Sequence, residues 1–192
     1  GSDFFGFTVS LDQDTLAVGA NQEGSNQTTI TNGTTAPGTT GASEAGAVYV
    51  YKRTGNTWAQ EAYVKAANAE TGDYFGYAVS LDQDTLAVGA FHENSNQTAI
   101  TNGTTAPGTT GATDSGAVYV YKRTGSTWAQ EAYIKSANSE AQDYFGQSVS
   151  IDQDTLAVGA YYEDSNQTTI TNGTAAPGTT GANDSGAVYV YK

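Results

Sequence analysis

The chain has 192 residues, with 7 Lys and Arg against 20 Asp and Glu and a formal charge of −13. A chain so acidic offers no basic stripe for phosphates, which excludes nucleic acid and disfavours anionic membrane surfaces. It has no cysteine and one histidine, His92. It therefore holds no disulfide framework or thiolate nucleophile, and no Ser-His-Asp triad in each repeat or two-histidine metal site. No apolar run approaches the ~20 residues of a spanning helix, and no basic leader with an apolar stretch stands at the start.

In chain order, the first signal is repetition. Asp3-Phe4-Phe5-Gly6 returns as Asp73-Tyr74-Phe75-Gly76 and Asp143-Tyr144-Phe145-Gly146, a period of 70 residues. Residues 3–70 and 73–140 are identical at 54 of 68 positions. Such similarity predicts one supersecondary unit per copy, with neighbour-facing surfaces that fit any other copy. The units run 1–70, 71–140 and 141–192.

Within the second unit four strands are predicted: residues 75–81, 85–90, 116–122 and 128–135. All are short, rich in Val, Tyr and Ala, and bounded by Gly, Asp, Asn or Ser. Asp82-Gln83 and Thr124-Gly125-Ser126 supply tight turns. No segment carries a sustained helical period. The fold class is all-β: three four-stranded antiparallel repeats stacked as β-propeller blades. The last repeat lacks its outer strand, because residue 192 falls in its third. Three blades are fewer than the ~4–8 of a closed propeller, so the chain is expected to belong to a larger or oligomeric one. The unpaired third strand of the last blade is expected to recruit another strand.

Three motifs now point to a family. Phe-Gly opens the first strand, Leu-Ala-Val-Gly-Ala is the second, and Gly-Ala-Val-Tyr-Val-Tyr is the third. Together they resemble the FG-GAP repeats of integrin alpha chains and bacterial surface proteins. The stretch Trp-Ala-Gln-Glu-Ala-Tyr-Ile/Val-Lys is similar to the outer strand of the bacterial version. The resemblance implies a β-propeller at the cell surface or outside the cell, with ligand-binding loops on one rim. The chain departs from the family at the Pro of Gly-Ala-Pro, replaced by Asn21, Phe91 and Tyr161. It also lacks the integrin calcium hairpin. Asp12-Gln13-Asp14 and its copies offer two carboxylates without the Gly or later ligands of a six-to-eight-oxygen site, and read as turn formers.

Strand direction gathers carboxylates on the rim opposite the tight turns, the rim that also carries the long loop: Asp3, Glu23 and Glu44; Asp73, Glu93 and Asp114; Asp143, Glu163, Asp164 and Asp184. Recurring in register at converging strand ends, they suit a hard cation such as Ca²⁺, or else form a solvated acidic rim. The loop between the second and third strands is far longer than usual, which marks it as functional or disordered. Its Asn102-Gly103 between Thr-rich arms predicts a protruding hairpin, dispensable for folding. Phe91, Tyr161 and Tyr162 at the loop entrance, with Asn102 and Asn172 in the loop, are the candidate ligand-binding residues. The loop carries glycosylation sequons at Asn26, Asn32, Asn96, Asn102, Asn166 and Asn172, and another at Asn183. The strand tyrosines are read as packing between blades, Trp58 and Trp128 as covers of blade edges, and His92 as an exposed loop residue.

The function expected is a non-catalytic, extracellular, calcium-binding β-propeller module for adhesion or ligand binding, whose partner is an extracellular protein or glycan. One alternative is a structural subunit that associates head-to-tail into a ring or filament. Another is the accessory propeller of a secreted hydrolase.

Overall fold

The computed structural model describes residues 2–36, 38–108, 110–174 and 181–192. These form three antiparallel sheets and no helix. The first sheet contains β1 (Phe5–Asp12), β2 (Thr15–Ala20), β3 (Thr31–Asn32), β4 (Ala47–Thr54) and β5 (Thr57–Val64), in the order β1-β2-β4-β5-β3. The second repeats that order with β6 (Ala78–Asp82), β7 (Thr85–Ala90), β8 (Thr101–Asn102), β9 (Ala117–Thr124) and β10 (Thr127–Ile134). The third contains β11 (Phe145–Asp152), β12 (Thr155–Ala160) and β13 (Ala187–Tyr191). The sheets stack as propeller blades without closing a ring.

Local chemistry explains the hairpins. β1 and β2 pair Asp12 with Thr15, leaving Gln13-Asp14 as a two-residue turn. Gln13 takes φ +50 there, and Gln83 and Gln153 take +52 and +55. The β4–β5 and β9–β10 turns narrow to two residues opened by Gly55 and Gly125, whose positive φ costs glycine nothing.

The long loop departs from expectation. It does not protrude as a hairpin at Asn102-Gly103. Thr101 and Asn102 instead pair with Tyr133 and Ala132, adding a fifth strand at the outer edge of the blade. Thr31 and Asn32 do the same against Tyr63 and Ala62. The outer strand offers a row of unpaired backbone groups, and the loop satisfies them. Gly33 N donates to Glu61 O at 2.6 Å, and Gln27 Nε2 clasps Thr29 O and Thr31 Oγ1 at 2.7 Å each. Ile30 packs against the core. The loop thus adds a strand to the blade edge in place of a free hairpin.

Blades meet through alternate residues of their strands. The first interface buries Ala17, Val48, Val50 and Val64 against Phe75, Val79 and Leu81. The second buries Ala87, Val118, Val120 and Ile134 against Phe145, with Val149 and Ile151 at its margin. Strand tyrosines fill each blade around its Phe-Gly phenylalanine: Phe75 meets Tyr119 and Tyr121 edge-on at 5.3 and 6.1 Å. Polar ties recur at each junction. Ser10 Oγ accepts from Leu81 N and Asp12 Oδ2 from Gln83 N, at 3.0 and 2.8 Å. Ser80 and Asp82 do the same for Ile151 and Gln153 at the same distances. The hairpin aspartates therefore do more than form turns, since Asp12 and Asp82 each anchor the next blade.

The Phe-Gly segment is laid along the preceding blade. Tyr74 N and Phe75 N donate to Glu44 O and Ala45 O, and Gly46 bridges Phe75 in parallel. A Cβ on Gly46 would lie 2.0 Å from Phe75 O, so only glycine permits this approach. Trp128 is buried between the first two blades rather than covering an edge, and its Nε1 donates to Glu61 at 3.0 Å. Arg123 clamps the same carboxylate at 2.7 Å. Trp58, by contrast, is 42% exposed.

Candidate functional site

Two arrangements occupy the strand-end rim, one carboxylate and one aromatic. In the first blade Glu23 lies buried with Lys65, whose Nζ is 3.2 Å away, and accepts from Tyr63 OH at 2.7 Å and Ser25 N at 3.0 Å. In the second, Glu93 pairs with Lys135 at 3.1 Å and accepts from Ser95 N and Asn68 Nδ2. Both ammonium groups are wholly buried. Burial lowers the pKa of each lysine, and the facing glutamate works against that shift. Glu163 is held by Asn138 Nδ2 at 2.6 Å and Ser165 N at 3.0 Å, and among the described residues no lysine pairs with it.

The expected calcium ligands separate on inspection of their partners. Asp73 and Glu93 do line one small polar cleft with Asn68, Glu70 and Asn94. Yet Asp73 accepts from Glu70 N at 2.7 Å, and Asp143 accepts from Glu140 N at the same distance. Asp114 faces His92 Nδ1 at 3.2 Å. Asp164 Oδ1 caps Asp184 N at 2.8 Å, and Asp3 and Asp184 are exposed. Among the described residues no group of three or more His, Asp or Glu side chains is placed to hold a metal ion. Glu23 and Glu93, central to the proposed set, already face an ammonium charge. The donor set does not fit Ca²⁺, which needs six to eight oxygens.

Asp73 and Asp143 have a different property. Burial raises Asp73 to about 8 and Asp143 to about 6, with the backbone hydrogen bond opposing in each case. The folded chain keeps protons that the unfolded chain releases near pH ~4. Stability therefore falls as pH rises from about 4 towards 8. Asp73→Asn, which keeps the acceptor for Glu70 N, should flatten that fall. The check is the melting temperature at pH 5 and pH 8 for both proteins; an unchanged slope in the variant would assign the dependence elsewhere.

The second arrangement is a ribbon of rings crossing all three blades. Phe7 meets Tyr77 at 5.0 Å, Tyr77 meets Phe91 at 4.2 Å, and Phe91 meets His92 at 4.1 Å. Tyr74 packs on His92 at 5.0 Å. His92 stacks on Tyr144 at 5.2 Å, and Tyr162 and Tyr161 continue the series at 5.2 and 4.2 Å. His92 is no isolated loop residue. Burial lowers its pKa, against the pull of Asp114. Tyr74 and Tyr144 are both held at φ +54, a left-handed backbone costly for a bulky residue. Strain of this kind collects at functional sites.

Phe91, Tyr161 and Tyr162 are thus brought together. Asn102 lies on β8 at the far edge of its blade, and Asn172 is exposed in the loop of the third, so neither joins them. Sequence reading missed Phe7, Tyr74, Tyr77 and Tyr144. The signal was present, because the first two repeats differ at the ribbon positions 4/74, 7/77, 21/91 and 22/92. Of the sequons, Asn32 is spoken for by the next blade. Its Oδ1 accepts from Trp128 N at 2.8 Å and its Nδ2 donates to Trp128 O at 3.2 Å, a clamp that a glycan would break. Asn26, Asn96, Asn102, Asn166 and Asn172 are exposed.

The FG-GAP repeat family model matches residues 1–51, 58–121 and 128–191, three consecutive repeats, the second and third each beginning in the outer strand of the preceding sheet. The chain belongs to the FG-GAP repeat family. A search of curated proteins returned no match. FG-GAP repeats are typical of extracellular and surface proteins. In this FG-GAP chain the described residues contain no helix long and apolar enough to cross a membrane.

Proposed function

We propose that this FG-GAP chain is a non-catalytic, extracellular propeller module, and that it binds a neutral glycan on its aromatic ribbon. The observation that carries the reading is the continuous series of rings from Phe7 to Tyr161, Tyr161 being 56% exposed. Ring faces offer flat apolar area to the C–H face of a sugar at little entropic cost, while Asp114 and the adjoining backbone supply hydrogen-bond acceptors. The charge of −13 disfavours sulfated or uronic-acid polymers. A non-catalytic role is supported by the rim carboxylates, whose partners are lysines and backbone amides. Calcium has no part in this reading.

Titration with neutral oligosaccharides, alone and with EDTA, tests it. Binding should be the same in both conditions. Tyr144→Gly should lose at least tenfold in affinity while keeping or slightly raising the melting temperature, because glycine relieves the left-handed strain of about 1–2 kcal/mol. Binding that survives both Tyr144→Gly and Phe91→Ala would move the ligand off the ribbon.

A further inference from the structure

His92 is the chain's only histidine, and it stands in the middle of the ring series. Tyr74 and Phe91 meet it edge-on at 5.0 and 4.1 Å, and Tyr144 stacks on it with the planes 29° apart. Its surroundings come from all three blades: Glu44 from the first, Tyr74, Phe91 and Asp114 from the second, Tyr144 from the third. The pair with Asp114 gives the ring its direction. Nδ1 lies 3.2 Å from Asp114 Oδ1. A carboxylate accepts and does not donate, so Nδ1 carries the hydrogen, and in the neutral ring Nε2 keeps the lone pair. Among the described residues nothing bonds to Nε2, and the side chain is 29% exposed. Asp114 is itself fixed through its backbone. Its N donates to Asn94 Oδ1 at 2.9 Å, and its O accepts from Tyr144 N at 3.1 Å. One residue therefore places both the imidazole and the ring stacked on it. In the other copies Gln22 and Tyr162 replace the histidine, so the imidazole occurs once.

Resting on the glycan reading of the ribbon, we propose that Asp114 is a positioning residue that holds His92 ready to accept a sugar hydroxyl at Nε2, and that protonation of His92 releases the glycan in acid. A sugar laid over the ribbon removes water from the imidazole, which disfavours the charged ring. By reciprocity, a ring that has taken a proton binds the sugar less tightly, and its Nε2 has become a donor. The groups that face His92 are the carboxylates of Asp114 and Glu44, which favour the proton, and the rings of Tyr74, Phe91 and Tyr144. Burial opposes the proton more strongly than the carboxylates favour it, so the exchange falls below the ordinary imidazole range.

Titration of the full chain with a neutral oligosaccharide at pH 8 and pH 5 tests this. The unaltered protein should bind about fivefold more weakly, or worse, at pH 5. His92→Phe, which keeps a ring in the stack, should lose that dependence. Asp114→Asn keeps both backbone bonds and suits the left-handed φ of +56. It should move the loss of affinity to lower pH, because a negative neighbour that favoured the proton is gone. With one histidine in the chain, heteronuclear NMR reads His92 without any ligand. The Nδ1–H tautomer should dominate at pH 8, and the pKa of the ring should fall in Asp114→Asn. Circular dichroism melts at both pH values check that the variants are folded. An affinity equal at the two pH values overturns the proposal, as does an Nε2–H tautomer. So does a dependence that survives in His92→Phe, which would assign it to Asp143, the neighbour of Tyr144 with a pKa raised to about 6. Absence of binding at both pH values overturns the glycan reading itself, and the acid release with it.

Discussion

Lys135→Met should destabilise the protein by about 3–5 kcal/mol, the range for breaking a buried ion pair from one side. Lys135 is fully buried and donates to Glu93 Oε2 at 3.1 Å and Ser115 Oγ at 2.7 Å. Without the ammonium, Glu93 still accepts from Ser95 N and Asn68 Nδ2, but no cation among the described residues balances its charge out of water. At roughly 2–4 °C per kcal/mol for a chain of this size, the melt should fall by about 6–20 °C. Adding Glu93→Gln should restore most of the loss, because the desolvation penalty disappears with the charge. Thermal melts of the two single variants and the double variant are the measurement. A Lys135→Met variant that melts with the parent would show that water or another cation reaches Glu93.

Gly116→Ala should cost about 2–5 kcal/mol from two sources that a neighbouring substitution separates. Gly116 sits at φ +79, which charges an alanine about 1–2 kcal/mol. Its Cβ would also fall 2.0 Å from Phe145 O, and a backbone carbonyl cannot step aside, so overpacking adds about 1–3 kcal/mol. Gly186→Ala is the control. Gly186 has φ +73, but the nearest atom to its Cβ would be Tyr161 O at 3.1 Å. Urea denaturation should give Gly186→Ala the conformational part alone. Equal losses in the two variants would mean that the second and third blades are not locked at this glycine.

How much of this was legible in the sequence depends on whether the signal was local. β2, β7 and β12 each begin and end where Thr-Leu-Ala-Val-Gly-Ala begins and ends, and an Asp-Gln-Asp turn precedes that run in every copy. The Phe-Gly motif marked the fold, and the structure supplies the reason: the glycine lets the chain run along its neighbour. What could not be read was the fate of groups whose partners lie far away in the chain. Glu93 and Lys135 are 42 residues apart and Asn32 and Trp128 are 96 apart, so no window of sequence holds both members of either pair. Counting rim carboxylates without those lysines made calcium look reasonable. The loop misled for a related reason. Asn-Gly carries a strong hairpin preference, but the outer strand, distant in sequence, pairs with the loop there.

The ties from Ser10 to Leu81 and from Ser80 to Ile151 span the same 71 residues, and those from Asp12 and Asp82 match them. Deleting residues 73–142 would bring Ser10 to Ile151 as it now meets Leu81, with Gly46 against Phe145 and Gly19 under Gly146. Unequal recombination within such a gene can therefore remove or insert a whole repeat without creating a junction that has not already been selected. A single-residue insertion in a hairpin has no such freedom, because it shifts one tie and leaves its partner behind. A change in the number of blades, in whole steps of 70 residues, is thus the change of length that keeps every tie.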